Sequence, residues 1–334
     1  MPVTIKDIAK AAGVSHTTVS RALNDHPAIS SETTTRIQEL AAQMGYTPSA
    51  VAQSLLSQRT YTIGVVVTTI ADPYITRVVE GIEKVAQQAN YSVFLATSHN
   101  DPDWELAIVR TLHRRRVDAI IVAASRVGSL YSAELAQIRV PIVLINNQED
   151  GEYLHSVATD DIQGAWLAVE HLLALGHRRI GYVSAPNRPR SNQRRRDGYE
   201  MALERAGITC DPSWVIVSDL TDDVKKGQAS LDPLMAADVT AVFCYNDLIA
   251  IGLLMACRDR GISISQQLSV IGFDNIEASL YVSPPLTTIR QTRLKLGQLA
   301  MEMVLNLLNG KEVQDQVLAC ELVVRASTGP PAGE

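Results

Sequence analysis

Two groups of polar residues in this chain of 334 residues could recognise other molecules, and the first lies near the N-terminus. The adjacent pair His16 and Thr17 precedes the pair Ser20 and Arg21 by about one helical turn, which places all four on one side of a helix. Imidazole, hydroxyl and guanidinium groups can bind base edges and phosphate oxygens of DNA. The same face is also typical of a small helical bundle with a solvated side, so the helix pattern alone leaves both interpretations open.

The second group follows short apolar runs in the rest of the chain and comprises Asp72, Asn146, Asn246 and Asp274, with Tyr74 beside the first of them. Carboxylate and amide groups can each make more than one hydrogen bond, and an aromatic ring offers a flat apolar face. These groups suit a ligand rich in hydroxyls. A single Asp in a loop is more often a turn or helix cap, so the prediction depends on the whole group.

Three short helices are expected to position the first group. Thr4 can cap the first helix and Gly13 can end it in a left-handed conformation. Ser15 can cap a second helix over residues 16–24, and Ser31 a third. A helix, a tight glycine turn and a second helix are typical of the helix-turn-helix, whose second helix enters the major groove.

From Tyr61 onward, short β-branched runs alternate with helical ones, which predicts parallel sheets covered by helices on both faces. Two such series indicate two lobes, and the cleft between them is the expected ligand site. The predicted strands cover residues 63–67, 92–96, 117–123, 141–145, 180–184, 241–244 and 268–272. The predicted helices cover residues 75–88, 103–115, 163–175, 195–206 and 247–260.

Composition narrows the class of protein. Hydrophobic residues make up 46% and charged residues 20%, which argues against a disordered chain. The net charge of −6 excludes a wholly basic nucleic-acid coat but not one DNA-binding domain. The four cysteines form no C-x-x-C pair, so neither a zinc site nor a disulfide framework is predicted. The absence of a signal-like start and of a long apolar stretch favours a cytoplasmic protein.

The first group of residues lies within a segment that resembles the headpiece of the LacI/GalR family of bacterial repressors. The resemblance is carried by residues 4–9 (TIKDIA), 12–15 (AGVS), 18–24 (TVSRALN) and 45–48 (GYTP). It implies a DNA-binding headpiece over residues 1–47, with base reading mainly by His16 and Thr17. The DNA contacts that it implies in the headpiece are Thr4, Ser15, His16, Thr17, Thr18, Ser20, Arg21 and Asn24.

The resemblance continues through a hinge helix and linker over residues 48–60. In the family this hinge folds on operator DNA, and a leucine wedges between base pairs in the minor groove. The matching positions are Ser49, Ala52 and Leu55. Family members usually have Asn at position 49 and often Arg at position 53, where this chain has Gln53. Whether these differences weaken the hinge contacts is left open.

Residues 61–330 resemble the two-lobed, periplasmic-binding-protein-like core of the same family. The matching landmarks include residues 72–74 (DPY), 175–180 (LGHRRI), 269–275 (SVIGFDN) and 285–289 (PLTTI). Carried over by position, the main effector contacts are Arg195, Asn246 and Asp274. The cleft is then completed by Asp72, Tyr74, Asn146, Leu220 and Gln291.

An arginine-rich stretch over residues 188–196 allows two interpretations. It could bind a phosphate or carboxylate on the effector. The favoured interpretation is a solvated helix start with Arg195 as its one inward arginine.

The fold class implied is an α-helical helix-turn-helix headpiece plus hinge helix, joined to a two-lobed α/β core. The predicted function is a ligand-controlled repressor that binds a pseudo-palindromic operator as a homodimer, because no leucine-heptad extension follows Arg325. A sugar or sugar derivative is the favoured effector, with a purine or another small metabolite as alternatives. No cofactor or metal is expected. The effector could induce or co-repress.

Two other classes of protein compete with a repressor. The core alone would fit a solute-binding protein of a transport system, but the headpiece and the lack of a signal peptide oppose it. An enzyme on this scaffold would need a nucleophile–base pair, a phosphate-binding glycine loop or a metal cluster, and the sequence suggests none.

Overall fold

The computed structural model describes residues 3–46, 59–125, 127, 140–147 and 155–332. The chain divides into two compact units, Met1–Thr60 and Tyr61–Glu334. Within the described residues, no helix is both long and apolar enough to cross a bilayer.

Within residues 3–46, the first unit contains three helices, α1 (Ile5–Ala12), α2 (His16–Leu23) and α3 (Ser31–Gln43). Their apolar sides bury Ile8, Val19, Ala22 and Ile37 against one another, as the helical spacing predicts. Gly13 ends α1 with a φ of 69°, a left-handed conformation that glycine adopts without strain.

One predicted cap in this unit is wrong by a residue. The side chain of Ser30, and not that of Ser31, accepts a hydrogen bond from the backbone N–H of Thr33 at 3.3 Å. Two adjacent serines offer the same capping chemistry, so the sequence alone does not choose between them.

The second unit is built on two six-stranded sheets. The first sheet, in spatial order, is β11-β5-β4-β3-β1-β2, and all its pairs are parallel. Its strands are β1 (Thr62–Val67), β2 (Ser92–Thr97), β3 (Ala119–Ala123), β4 (Ile142–Ile145), β5 (Ser156–Thr159) and β11 (Gln316–Leu318). Every residue of β3 and β4 is buried, because helices cover both faces of the central strands.

The second sheet has the order β12-β10-β9-β8-β6-β7, with only β12 antiparallel to its neighbour. Its strands are β6 (Ile180–Val183), β7 (Val215–Ile216), β8 (Ala241–Cys244), β9 (Ser269–Asp274), β10 (Thr287–Arg290) and β12 (Glu321–Val323). Rings of Tyr182, Phe243 and Phe273 pack in sequence through its core, with centroids 5.3 Å and 6.3 Å apart.

The helices around the sheets complete the two lobes. Among the described residues they are α4 (Pro73–Gln88), α5 (Pro102–Arg114), α6 (Asp161–Ala174), α7 (Pro189–Arg205), α8 (Asp223–Ala229), α9 (Leu231–Ala236), α10 (Asp247–Asp259), α11 (Ala278–Tyr281) and α12 (Arg293–Leu308). Helix α7 begins six residues earlier than predicted, because Pro189 occupies its first turn, where proline is favoured.

The two series of elements are not simply sequential. The chain first passes from β5 in the first lobe to α6 in the second. After β10 it returns, and α12 packs on α4 while burying Leu296, Ala300 and Met301 in the core of the first lobe. Strand β11 stays in the first sheet and β12 rejoins the second. The described strands and helices therefore pass between the lobes three times. Two lobes formed by consecutive halves of the chain would need only one such crossing.

Candidate functional site

The outer side of α2 presents the residues predicted to read DNA. His16, Thr17 and Arg21 are exposed and Ser20 is partly exposed. Val19, on the opposite side of α2, is fully buried. The apolar side of this helix therefore fixes its orientation in the headpiece and leaves the polar side available to a partner.

Four other predicted contacts make local hydrogen bonds in the headpiece. The backbone N–H and the hydroxyl of Thr4 donate to Asp7 Oδ2 at 2.9 and 2.7 Å, which holds the pKa of that carboxyl below its usual value. Ser15 accepts from the backbone N–H of Thr18, and Asn24 Nδ2 donates to the carbonyl of Ser20 at 2.7 Å. These side chains stabilise helix ends, and their contacts with DNA remain predictions.

The predicted hinge contacts Ser49, Ala52 and Leu55 lie outside the described residues, as does Gln53. Their roles remain predictions.

A cavity of about 50 Å³ lies between the two lobes of the second unit. Seven of the eight predicted effector contacts line it: Asp72, Tyr74, Asn146, Arg195, Asn246, Asp274 and Gln291. The remaining one, Leu220, is half exposed between β7 and α8 and is not among the lining residues. The other lining residues are Thr68, Ile75, Ala124, Arg188, Ser191 and Tyr245.

Arg195 is held rigidly in the wall that the second lobe contributes. Its Nε donates to Asp161 Oδ1 at 2.8 Å, and its Nη1 donates to the carbonyl of Tyr245. The guanidinium lies 3.7 Å from the ring centroid of Phe273 and 4.2 Å from that of Tyr245. Because these contacts fix its plane, Arg195 can offer hydrogen bonds in a defined direction.

Asp274 lies beside Arg195, with 3.9 Å between Nη1 and Oδ1. Its backbone has a φ of 116°, which is unusual for a residue with a side chain and typical of functional sites. Burial raises the pKa of this carboxyl to about 7, against the opposing effect of Arg195 and with a further contribution from Asp72. A guanidinium beside a carboxyl group can bind two neighbouring hydroxyls of one ligand.

The wall formed by the first lobe is a chain of hydrogen bonds that ends in the second lobe. Asn146 Nδ2 donates to the hydroxyl of Tyr74 at 2.5 Å, and Asn146 Oδ1 accepts from the backbone N–H of Thr159 at 2.8 Å. Thr159 Oγ1 donates to Gln291 Oε1 at 2.8 Å, and Gln291 Nε2 donates to Asp274 Oδ1. The predicted contacts from both lobes are thus parts of one network.

The structure also brings Arg188 to the cavity, which corrects the prediction of one inward arginine. Arg188 precedes α7 as its N-cap residue, and its side chain is 25% exposed. Its Nη1 donates to Asp223 Oδ2 at 2.9 Å, and its Nη2 lies 3.5 Å from Asp72 Oδ2 on the opposite lobe. Recognising Pro189 as the helix start would have identified Arg188 from the sequence.

Asp223 was also not predicted from the sequence, although it accepts hydrogen bonds from two lining residues. Besides Arg188, its Oδ2 accepts from Asn246 Nδ2 at 2.7 Å. Its Oδ1 accepts from Lys226 Nζ at 3.0 Å, and Lys226 is only 1% exposed. Burial raises the pKa of Asp223, but Arg188 and then Lys226 outweigh it, so the pKa lies below its ordinary value.

The described residues contain no group of three or more His, Cys, Asp or Glu side chains that could hold a metal ion. The four cysteines are free thiols, and burial raises the pKa of Cys244, Cys257 and Cys320.

Two family descriptions match this chain. "Bacterial regulatory proteins, lacI family" matches residues 4–49, and "Periplasmic binding protein-like domain" matches residues 169–328. The first match covers all three headpiece helices. The second covers most of the second lobe together with α12.

Relatives similar over nearly the whole chain are named as transcription regulators. The chain is 32% identical over 329 residues to the HTH-type transcriptional repressor PurR of Aliivibrio salmonicida, covering 97% of this chain and 98% of the relative. It is 37% identical over 308 residues to the HTH-type transcriptional regulator GalS of Salmonella typhimurium, covering 91% and 89%. It is 33% identical over 329 residues to the HTH-type transcriptional repressor CytR of Escherichia coli, covering 97% and 96%.

Solved structures similar to this chain are also those of transcription regulators. The Lac repressor dimer bound to operator and the anti-inducer ONPF superimposes with a TM-score of 0.89 at 29% identity, covering 98% of this chain and all of that one. A LacI family transcriptional regulator from Enterococcus faecium with bound ribose gives a TM-score of 0.73 at 32% identity, covering 80% and 99%.

Proposed function

This chain belongs to the LacI family and is a ligand-responsive DNA-binding repressor, and we propose that it acts in the cytoplasm as a homodimer on a pseudo-palindromic operator. One observation carries the proposal. The chain that holds an exposed polar face on α2, predicted to read DNA, also holds a cavity lined by seven residues predicted to bind an effector. A solute-binding protein would use only the cavity, so the headpiece favours the repressor. No catalytic step is part of the proposal.

A sugar or sugar derivative is the proposed effector. The paired Arg195 and Asp274, together with the amides of Asn146, Asn246 and Gln291, offer donors and acceptors suited to several hydroxyls. The related regulator from Enterococcus faecium carries bound ribose, and the structure of the transcriptional regulator CelR is a complex with cellobiose. Both observations support a hydroxyl-rich ligand for this cavity.

Exposed apolar side chains favour a dimer. The edge strand β2 exposes Phe94 and Leu95, and a groove of about 510 Å³ runs between β2 and α5 beside Trp104. In the second lobe, Leu280 and Tyr281 are also exposed. Large exposed apolar patches mark interaction sites, and the related Lac repressor is described as a dimer on its operator. Replacing Phe94 and Tyr281 by Glu is expected to give monomers in light-scattering measurements.

The proposed mechanism is a thermodynamic linkage between the cavity and the operator. Both lobes contribute to the network around the cavity, so a ligand bound there changes the relative stability of their arrangements. Typical coupling free energies are about 1–3 kcal/mol, and the coupling must be reciprocal. Operator DNA will therefore change effector affinity by the same factor as the effector changes operator affinity.

The proposal is tested by selecting genomic fragments that bind the purified full-length protein at physiological salt, with and without small metabolites. The expected result is one or a few pseudo-palindromic sites whose occupancy changes with one metabolite. The direction of that change separates an inducer from a co-repressor. Arg195→Ala is the matched control, because it should bind the same sites without responding. Recovery of only non-specific DNA under every condition would contradict the proposal.

A further inference from the structure

Carboxyl groups and cations lie close together around the interlobe cavity. Two cations and two carboxylates line it directly: Arg188, Arg195, Asp72 and Asp274. Five more ionisable groups lie behind them in the elements packed against the site: Asp161 on α6, Asp223 and Lys226 on α8, Asp247 on α10, and Arg293 on α12. These described residues thus provide five carboxyl groups and four cations, so the surroundings of the cavity carry no excess of cations.

Each lining cation is already paired with carboxylates. Arg188 is held between Asp223 on its own lobe, at 2.9 Å, and Asp72 on the other lobe, at 3.5 Å. Arg195 is held between Asp161 at 2.8 Å and Asp274 at 3.9 Å. Both arginines are therefore engaged on two sides by carboxylates before any ligand enters.

The buried lysine strengthens this arrangement. Lys226 Nζ donates to Asp223 Oδ1 and to Asn187 Oδ1, each at 3.0 Å, which keeps Asp223 charged and in place. Asp223 in turn keeps Arg188 directed at Asp72. A phosphate entering the cavity would have to displace Asp72 from Arg188 and then lie against the carboxylates of Asp72 and Asp274. Because an uncompensated charge is costly in a partly buried site, such a ligand is disfavoured.

On this basis we propose that the effector is an uncharged, polyhydroxylated molecule and that the interlobe ion pair of Arg188 and Asp72 excludes its phosphorylated or carboxylated counterparts. The inference rests on the proposed role of the cavity as the effector site. It also resolves the two interpretations of the arginine-rich stretch, since Arg188 is directed inward yet is engaged by carboxylates of the protein itself.

The first experiment identifies the ligand without assuming it. Full-length protein is incubated with a small-molecule extract of bacterial cells and washed, and the retained compounds are identified by mass spectrometry, in parallel with Arg195→Ala. An uncharged polyhydroxylated compound retained by the wild type and absent from the variant supports the proposal. A retained anion that is absent from the variant overturns the proposal but leaves the effector function of the cavity intact. If nothing is retained, or if the wild type and the variant retain the same compounds equally, the proposal and the effector function of the cavity are both overturned.

The second experiment tests the ion pair with a matched control. Asp72 and Asp101 are both N-cap residues followed by proline, and both accept backbone hydrogen bonds from the first turn of their helices. Asn caps helices as well as Asp does, so Asp72→Asn and Asp101→Asn should both fold. Titrations compare the retained compound with its phosphate ester. We expect Asp72→Asn to bind the ester at least about tenfold more tightly than the wild type does, with no change in Asp101→Asn. Unchanged discrimination in Asp72→Asn would overturn the role assigned to the pair.

Discussion

Gln291 donates a hydrogen bond to Asp274 Oδ1 at 2.5 Å, at a point where the chain passes from the second lobe back to the first. The same amide accepts a hydrogen bond from Thr159 Oγ1, which ends β5 in the first lobe. Gln291 is only 3% exposed, so both of its polar atoms depend on these partners. One side chain thereby connects a predicted effector contact to the opposite lobe.

Replacing Gln291 by Leu is expected to lower effector affinity by at least about tenfold, because Asp274 and Thr159 would each be deprived of a buried partner. Operator affinity without effector should change little. Titration calorimetry measures the first quantity and fluorescence anisotropy the second. Gln87→Leu, on the exposed side of α4, is the matched control. Normal effector affinity in Gln291→Leu would remove this residue from the site.

Effector binding is expected to depend on pH through Asp274. Burial raises the pKa of its carboxyl to about 7, so the carboxyl becomes protonated as the pH falls below that value. A ligand hydroxyl that donates to the carboxylate binds only the ionised form. Effector affinity should therefore fall by up to about tenfold per pH unit on the acid side and level off on the alkaline side. Dissociation constants of the effector measured on both sides of pH 7 test the sign of this pH dependence.

Asp274→Asn is the control for that pH profile. Its amide does not titrate, so its weaker binding should be independent of pH across the same range. Tighter binding of the wild type at acid pH would mean that the protonated carboxyl donates to the ligand instead.

Much of the fold could be predicted because it depends on local pattern. Strands β3 and β8 are continuous apolar runs, as expected when helices cover both faces of a parallel sheet. The predicted strand over residues 241–244 has the observed bounds, and the helical spacing of Ile8, Val19 and Ile37 gave the core of the headpiece. In these segments, residues close together in the sequence are enough to predict the type of element and its buried side.

The remaining features depend on partners far apart in the chain. Helix α12 has an ordinary helical pattern, but its packing on α4 joins segments about two hundred residues apart, and no local signal specifies which lobe it covers. Lys226 and Asp223 are of types that usually lie on the surface. They are buried here because they pair with each other, and Asp223 also pairs with Arg188, 35 residues before it. The sequence therefore indicated seven of the lining residues but neither Arg188 nor the buried charges that support it.

Because α8 and α10 are in close contact, adding a side chain at the glycines between them is expected to lower the stability of the protein. A Cβ atom at Gly227 would overlap the backbone carbonyl of Ile249, and one at Gly252 would overlap that of Val224. Gly227→Ala should therefore lower the free energy of unfolding by about 1–3 kcal/mol, because overpacking forces the helices apart. Urea denaturation measures the change. Gln228→Ala, on the exposed side of the same helix, should leave stability nearly unchanged.

The identities of His16 and Thr17 are expected to determine operator preference, because both are exposed at the N-terminal end of α2 while Val19 and Ala22 anchor its other side. Replacing either by Ala should weaken specific binding by about 1–3 kcal/mol for each base that the side chain reads, with a smaller effect on binding to random DNA. Selection from a randomised operator library, followed by anisotropy titration, measures both effects. Gln43→Ala, exposed at the end of α3, is the control variant. Identical preferred sequences for the wild type and both variants would mean that another element of the protein reads the bases.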